Sequence, residues 1–136
     1  PHPTESKVYI AGNGSDEIIE VNTAIWEITN RINTGKGPYN IDISADGKFL
    51  VATLKSDAKT LVWELDKKNP SIISNNSTVS HGVVISPDSK YAFVTVEGVG
   101  GDPGLVDVID LEKAKVVSSV NIGKQAGGIA FWKIEE

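Results

Sequence analysis

The sequence predicts an all-β fold built from a four-stranded unit used three times. The first observation is a long repeat. Gly37 to Thr53, GPYNIDISADGKFLVAT, returns 42 residues on as His81 to Thr95, HGVVISPDSKYAFVT. Each copy is an alternating apolar run, a polar turn and a second apolar run, which is the pattern of a β-hairpin. The turns are Ser44-Ala45-Asp46-Gly47-Lys48 and Ser86-Pro87-Asp88-Ser89-Lys90. Asp46-Gly47 supplies the positive φ such a turn needs, and Asp88-Ser89 is a weaker version. The second observation is that the flanking pieces recur too. Val8-Tyr9-Ile10-Ala11, Leu50-Val51-Ala52-Thr53 and Ala92-Phe93-Val94-Thr95 are spaced by 42 and 42. Glu20-Val21-Asn22, Glu64-Leu65-Asp66 and Val108-Ile109-Asp110 are spaced by 44 and 44. A period of about 40 residues carried only by strand signals points to propeller blades rather than helical solenoids.

With the four strands of a unit named A to D, the elements follow in order. Residues 1–5 are a polar, proline-punctuated and mobile lead-in. Glu5-Ser6-Lys7 is the remnant of an A-to-B turn, so the chain begins on B. B1 is expected at about 7–12, C1 at 17–23 and D1 at 26–34, where Trp26, Ile28 and Ile32 alternate. A2 is placed at 38–45, B2 at 48–54, C2 at 59–66 and D2 at 70–77. Pro70 suits the head of an outer strand, where a missing N–H costs little. A3 is placed at 81–86, B3 at 90–96, C3 at 105–110 and D3 at 115–122. A4 is placed at 126–132, before a charged tail at 133–136. Trp63 is aligned with Ile19 and Asp107, and the three tryptophans are expected to pack between blades. The units are about 6–47, 48–89 and 90–135 of one half-propeller domain.

The order BCD, ABCD, ABCD, A leaves complementary ends. Three blades do not bend into a closed ring, since propellers have 4–8. The ring is therefore completed by a second chain, as a strand-exchanged homodimer, or by missing blades of a longer polypeptide. A start at Pro1 and the lack of any Met point to a processed or excised product.

Composition narrows the function. The 136 residues carry a formal charge of −5 with acidic and basic residues mixed, which argues against a nucleic-acid surface. There is no Cys, which excludes disulfides, thiolate metal sites and cysteine nucleophiles. No apolar run is long enough to span a membrane as a helix. Neither GxSxG, HExxH nor a Ser-His-Asp order is present.

The strings Tyr9-Ile10-Ala11-Gly12-Asn13, Gly37 to Lys48, Ser86 to Thr95 and Val106 to Asp110 resemble the YVTN family of β-propeller repeats. The resemblance runs from about Ser6 to Trp132. It implies a secreted, surface or periplasmic protein. It also brings in related propellers with chemistry, the lactonases and the haem d1-binding domains, as the rival class.

Antiparallel order puts the D-to-A and B-to-C loops on one rim, where binding residues tend to sit over a rigid scaffold. The third B-to-C loop, Glu97 to Gly104, is the longest. It opens a strand rather than a helix, so it is not a phosphate loop. The candidate site is Tyr39, Asn40, His81, Gly100, Asp102, Lys124 and Gln125. His81 heads an inner strand where its repeat mates are Tyr39 and Gly127, so no metal ring is formed. Asp102, Asp107 and Asp110 are expected as solvated strand ends. The expectation is a non-enzymatic binding or scaffold module for a protein, glycan or surface partner, with no catalytic residue, metal or cofactor. The alternative is a lactonase-like or haem d1-binding-like propeller with its site at the channel mouth.

Overall fold

The structure, a computed structural model, describes residues 1–133; residues 134–136 of the expected charged tail lie outside the described residues. Among the described residues eleven strands are present and all their pairings are antiparallel. The first sheet is β1 (Lys7–Gly12), β2 (Glu17–Asn22) and β3 (Glu27–Asn33), in that order. The second is β4 (Pro38–Ile43), β5 (Phe49–Leu54), β6 (Lys59–Glu64) and β7 (Ser71–Ser74). The third is β8 (Val79–Ile85), β9 (Tyr91–Glu97), β10 (Pro103–Asp110) and β11 (Lys115–Lys124). These are the expected BCD, ABCD and ABCD. No helix long and apolar enough to cross a membrane occurs among the described residues.

Period-2 alternation decides how the sheets stack. β5 is the clearest case. Leu50, Ala52 and Leu54 face the first sheet and join Tyr9, Ile18, Leu61 and Trp63 in one buried core. Val51 points the other way. It joins Val62, Val83, Ile85, Val94 and Ile109 in a second core between the second and third sheets. One strand thus serves two cores, which is why every residue from Leu50 to Leu54 is buried.

Polar bonds repeat across the inner strands. Thr53 Oγ1 accepts from Asn40 N (3.0 Å) and donates to His81 O (2.8 Å), tying β5 to β4 and to the start of β8. Its mate Thr95 accepts from Gly82 N (2.7 Å) and donates to Gly127 O. Gly127 is therefore the structural counterpart of His81. Asp42 Oδ2 accepts from Ile85 N (2.8 Å), a further tie between β4 and β8.

Four expectations need correction. A4 is not a strand: residues 126–132 form no ladder. A strand needs a neighbour to take its N–H and C=O groups, and no B strand lies beside this segment. It instead runs along the third sheet, held by Thr95 and by Phe131, whose ring lies 6.4 Å from that of Phe93. The lead-in is not loose either. The His2 side chain is only 5% exposed. Its Nδ1 accepts from the N–H of Thr4 (3.3 Å) and of Glu5 (3.1 Å), which leaves Nε2 to donate to Gly47 O (3.1 Å). His2 N donates to Lys7 O (2.8 Å), as Ser44 N does to Phe49 O (2.9 Å) and Ser86 N to Tyr91 O (2.8 Å). The first A-to-B turn thus begins at His2 rather than Glu5.

The third correction is the alignment of the C strands. Lys7 pairs with Asn22, Phe49 with Glu64 and Tyr91 with Asp110. The matching positions are Asn22, Glu64 and Asp110, spaced by 42 and 46. The extra residues all fall in the third B-to-C loop, so Asp107 matches Leu61 and Ile19, and Trp63 matches Ile109 and Val21. The fourth concerns the tryptophans. Trp63 is core, its Nε1 donating to Lys67 O (2.9 Å). Trp26 and Trp132 are 77% and 88% exposed. Trp26 sits at a turn with φ 58°.

The two repeated turns carry the same bonds. Ser44 Oγ donates to Asp46 Oδ1 (2.6 Å) and accepts from Phe49 N (2.9 Å), while Lys48 N donates to Asp46 Oδ1 (3.1 Å). Ser86, Asp88, Lys90 and Tyr91 repeat this at 2.6, 3.0 and 3.2 Å. Gly47 and Ser89 take the left-handed position, at φ 73° and 59°. For Asp46, burial works against ionisation, but the Ser44 hydroxyl, the Lys48 N–H and its ammonium outweigh it and hold the carboxyl below the usual range. The Ser86 hydroxyl does the same for Asp88 against weaker desolvation, and the Lys113 ammonium does so for Asp110. Groups held low when folded stabilise at every pH above the ordinary carboxylate range, and that contribution is lost as pH falls through their folded values. Urea midpoints measured down the acid limb are expected to drop from roughly pH 4 downward. Asp46→Asn with Asp88→Asn is expected to flatten that drop; an unchanged acid limb in the double variant would show the turns carry no such linkage.

Candidate functional site

The A-strand starts and the B-to-C loops meet on one rim, as antiparallel order requires. Tyr39 is the second residue of β4 and His81 the third of β8. Their rings are 4.8 Å apart and tilted by 60°. The bond from Thr53 to His81 O sets this approach. Lys55, just past β5, places its Nζ 4.4 Å from the Tyr39 ring centre. Glu97, at the end of β9, places Oε1 3.4 Å from His81 Nε2. The other nitrogen, His81 Nδ1, is buried with no hydrogen-bond partner.

Glu97 is positioned from its backbone. Ser77 Oγ and Thr78 Oγ1, in the β7–β8 loop, each donate to Glu97 O at 3.1 Å. Beyond it the chain turns through Gly98, where a Cβ would meet Asp102 O at 2.6 Å and Pro103 O at 2.8 Å. Gly100 and Gly101 follow at φ 70° and 104°, which an L side chain rarely adopts. This glycine-rich loop folds back on the end of β11. Together Glu97, Gly100, Asp102, Lys124 and Gln125 line a hollow of about 410 Å³.

The seven expected site residues therefore fall into two groups. Tyr39 and His81 form one, and Gly100, Asp102, Lys124 and Gln125 form the other. Asn40 stands apart: its N–H serves Thr53 and its side chain is exposed. Glu97 touches both groups and was missed. The signal was available, because Glu97 and Lys55 are repeat mates 42 apart and both are charged.

The three aspartates separate. Asp102 lies in the rim hollow. Asp107, expected to be solvated, is wholly buried and accepts from Asn75 Nδ2 (3.0 Å), Asn76 N (3.0 Å), Asn76 Nδ2 (2.9 Å) and Ser119 Oγ (2.5 Å). Asp110 is 8% exposed and bound by Lys113 Nζ (2.7 Å) and N (2.9 Å). The four-residue extension of the third hairpin is what carried Asp107 into a core position. Among the described residues no three His, Cys, Asp or Glu side chains gather as a metal site.

A larger hollow, about 570 Å³, lies on the opposite face between the first two sheets. Several of its charged groups are already paired, within the hollow or with Asp46 and Lys67 beside it. Lys7 Nζ is 2.9 Å from Glu5 Oε2, and burial together with the hydrogen bond to Glu20 pushes the Tyr9 hydroxyl pKa up. The rim, with Tyr39 half exposed and an orphaned imidazole nitrogen, is the better candidate.

No protein-family model matches the chain, and no curated protein does. Solved structures do. Kuenenia stuttgartiensis hydrazine synthase is similar at 25% identity and a TM-score of 0.80, over 87% of this chain and 34% of that one. A functionally unknown protein from Desulfotomaculum acetoxidans is 21% identical with a TM-score of 0.78, over 93% and 40% of the two chains. The WD40 repeats of RRP9 are 17% identical with a TM-score of 0.77, over 92% and 38%. The chain thus spans between 34% and 40% of the length of these structures. With the sheet order above, the likeness makes its three sheets blades of a β-propeller.

Proposed function

We infer that the chain is a non-enzymatic binding or scaffold module, a propeller of the YVTN type that holds a protein, glycan or surface partner on its B-to-C and D-to-A rim. The observation that carries this is the union at Glu97 of an aromatic pair, half-exposed Tyr39 and partly buried His81, with a glycine-lined hollow. The pair stands at the starts of β4 and β8 and the hollow on the adjoining loops, over two packed cores, and such loops are the usual place for recognition. Nothing in that union forms a nucleophile–base pair. The YVTN resemblance adds an extracellular or periplasmic setting. The rival reading, an enzyme or cofactor-binding propeller, draws on the likeness to hydrazine synthase, and a metal assay and visible spectrum of protein from its native source test it.

The binding reading is tested with a photo-crosslinking residue at Tyr39, at Gly100 and at Glu112 on the far face. Adducts with one native partner from the two rim positions alone are expected. Equal capture from both faces, or none from the rim, sinks it. Ring closure is a separate matter. In an exchanged dimer Gly127 to Phe131 of one copy would lie along β1 of the other, yet Pro1 and His2 occupy the place that matches Phe131 and Trp132. Light scattering across a dilution series decides it: a persistent mass of twice 14.5 kDa means a second copy closes the ring, and a monomer means other blades do.

A further inference from the structure

Lys55 and Glu97 hold the same place in successive blades, and so do Tyr39 and His81. Each charged residue reaches the ring at the start of its own blade's inner strand. The result is a row of four side chains: Lys55, Tyr39, His81, Glu97. Its spacings are 4.4 Å from ammonium to ring centre, 4.8 Å between rings and 3.4 Å from imidazole to carboxylate. A cation closes one end and an anion the other.

The two ends are not equivalent. Glu97 is held by its backbone, through Ser77 and Thr78, and its side chain is 25% exposed beside the rim hollow. Lys55 sits on a flexible stem that loses rotamer entropy by staying over the ring. It marks the Tyr39 face as a seat for a cation without being fixed there. A planar guanidinium suits this row better than an ammonium. It stacks on aromatic faces and presents a fork that matches a carboxylate. The formal charge of −5 also favours approach of a basic partner.

We propose that this row recognises an arginine side chain of a protein partner. The guanidinium lies against Tyr39 and His81 with its outer nitrogens toward Glu97, and Lys55 swings away to admit it. This rests on the binding-module reading and names its ligand chemistry.

The test uses three short peptides: acetyl-Gly-Arg-Gly-amide, its citrulline counterpart, and acetyl-Gly-Glu-Gly-amide. Binding is followed by NMR through the His81 ring signals, which need only be told from those of His2. The arginine peptide is expected to saturate the shift, and the other two to leave it unmoved. Glu97→Gln should weaken binding at least about tenfold, a typical loss for a charge-assisted pair. Lys55→Ala should tighten it several-fold by removing the competing ammonium. Unchanged thermal midpoints in both variants exclude a folding effect. Binding of the citrulline or glutamate peptide as tight as that of arginine would overturn the proposal. So would weaker binding in Lys55→Ala, or silence from all three peptides. If rim crosslinks still trap a partner in those cases, the binding-module reading survives and only this inference falls.

Discussion

Asp107→Ala will cost the fold about 3–5 kcal/mol, since each buried donor left without its acceptor costs about 1–3 kcal/mol. The carboxylate accepts four hydrogen bonds from three residues and is fully buried. Through Asn75 it reaches further, because Asn75 Oδ1 accepts from Thr60 Oγ1 (2.9 Å) and Ser80 Oγ (2.7 Å). One side chain therefore ties β6, the β7–β8 loop, β8, β10 and β11 together. Alanine leaves the Asn75 amide, the Asn76 backbone N–H and the Ser119 hydroxyl without their acceptor, leaves the Asn76 amide only Ser119 Oγ, and opens a cavity as well. Asp107→Asn keeps the shape but turns an NH₂ toward donors, so about 2–3 kcal/mol is expected. Urea denaturation of the three proteins with a common slope measures both. An Asp107→Ala value within about 1 kcal/mol of the parent would mean the network is not formed. The consequence reaches the rim. The loop that Asp107 anchors also carries Ser77 and Thr78, which hold Glu97, so Asp107→Asn should loosen partner capture at Glu97 even where the fold survives.

The strands were legible because each unit repeats short apolar runs, alternating or continuous, bounded by polar turns. Ten residues of the repeated hairpin, Ser44 to Lys48 and Ser86 to Lys90, also make the same bonds in both copies. What sequence alone misjudged were features that depend on a neighbour. Residues 126–132 have strand composition, but pairing is a property of two segments and theirs has no partner beside it. Asp107 looks like a strand-end aspartate until the third hairpin's extra residues are assigned to its loop. Only then does it align with buried Leu61. His2 precedes a proline in a polar lead-in, and nothing local shows that its ring will dock on Gly47 O. That the A-strand starts and the B-to-C loops share one face was legible from antiparallel order. Its connecting residue, Glu97, was hidden because a strand-end glutamate is ordinarily solvated, and only the ring of His81 in the adjoining strand gives it a role.

Gly82→Ala is the sharpest test of how the last segment serves the rim. A Cβ at Gly82 would stand 2.6 Å from Gly127 O, 2.9 Å from Thr95 Oγ1 and 3.2 Å from Ile129 Cγ2. The nearest of these is backbone, so the segment from Ala126 to Phe131 has to move. Moving it breaks the bond from Thr95 to Gly127 and draws Phe131 off Phe93. A lost buried hydrogen bond and overpacking together are worth about 2–4 kcal/mol. The displaced segment begins beside Lys124 and Gln125, which wall the hollow opposite Gly100 and Asp102. The variant should therefore lose capture at a Gly100 crosslinker while Tyr39 and His81 keep their contact, since β4 and β8 are tied through Thr53. Hydrogen exchange should rise at residues 126–131 and stay unchanged at β8. Fast exchange spreading into β8 would mean that the inner strand, and not the segment laid against it, gives way first. In that case the aromatic row and the glycine-lined hollow form one cooperative unit rather than two joined at Glu97.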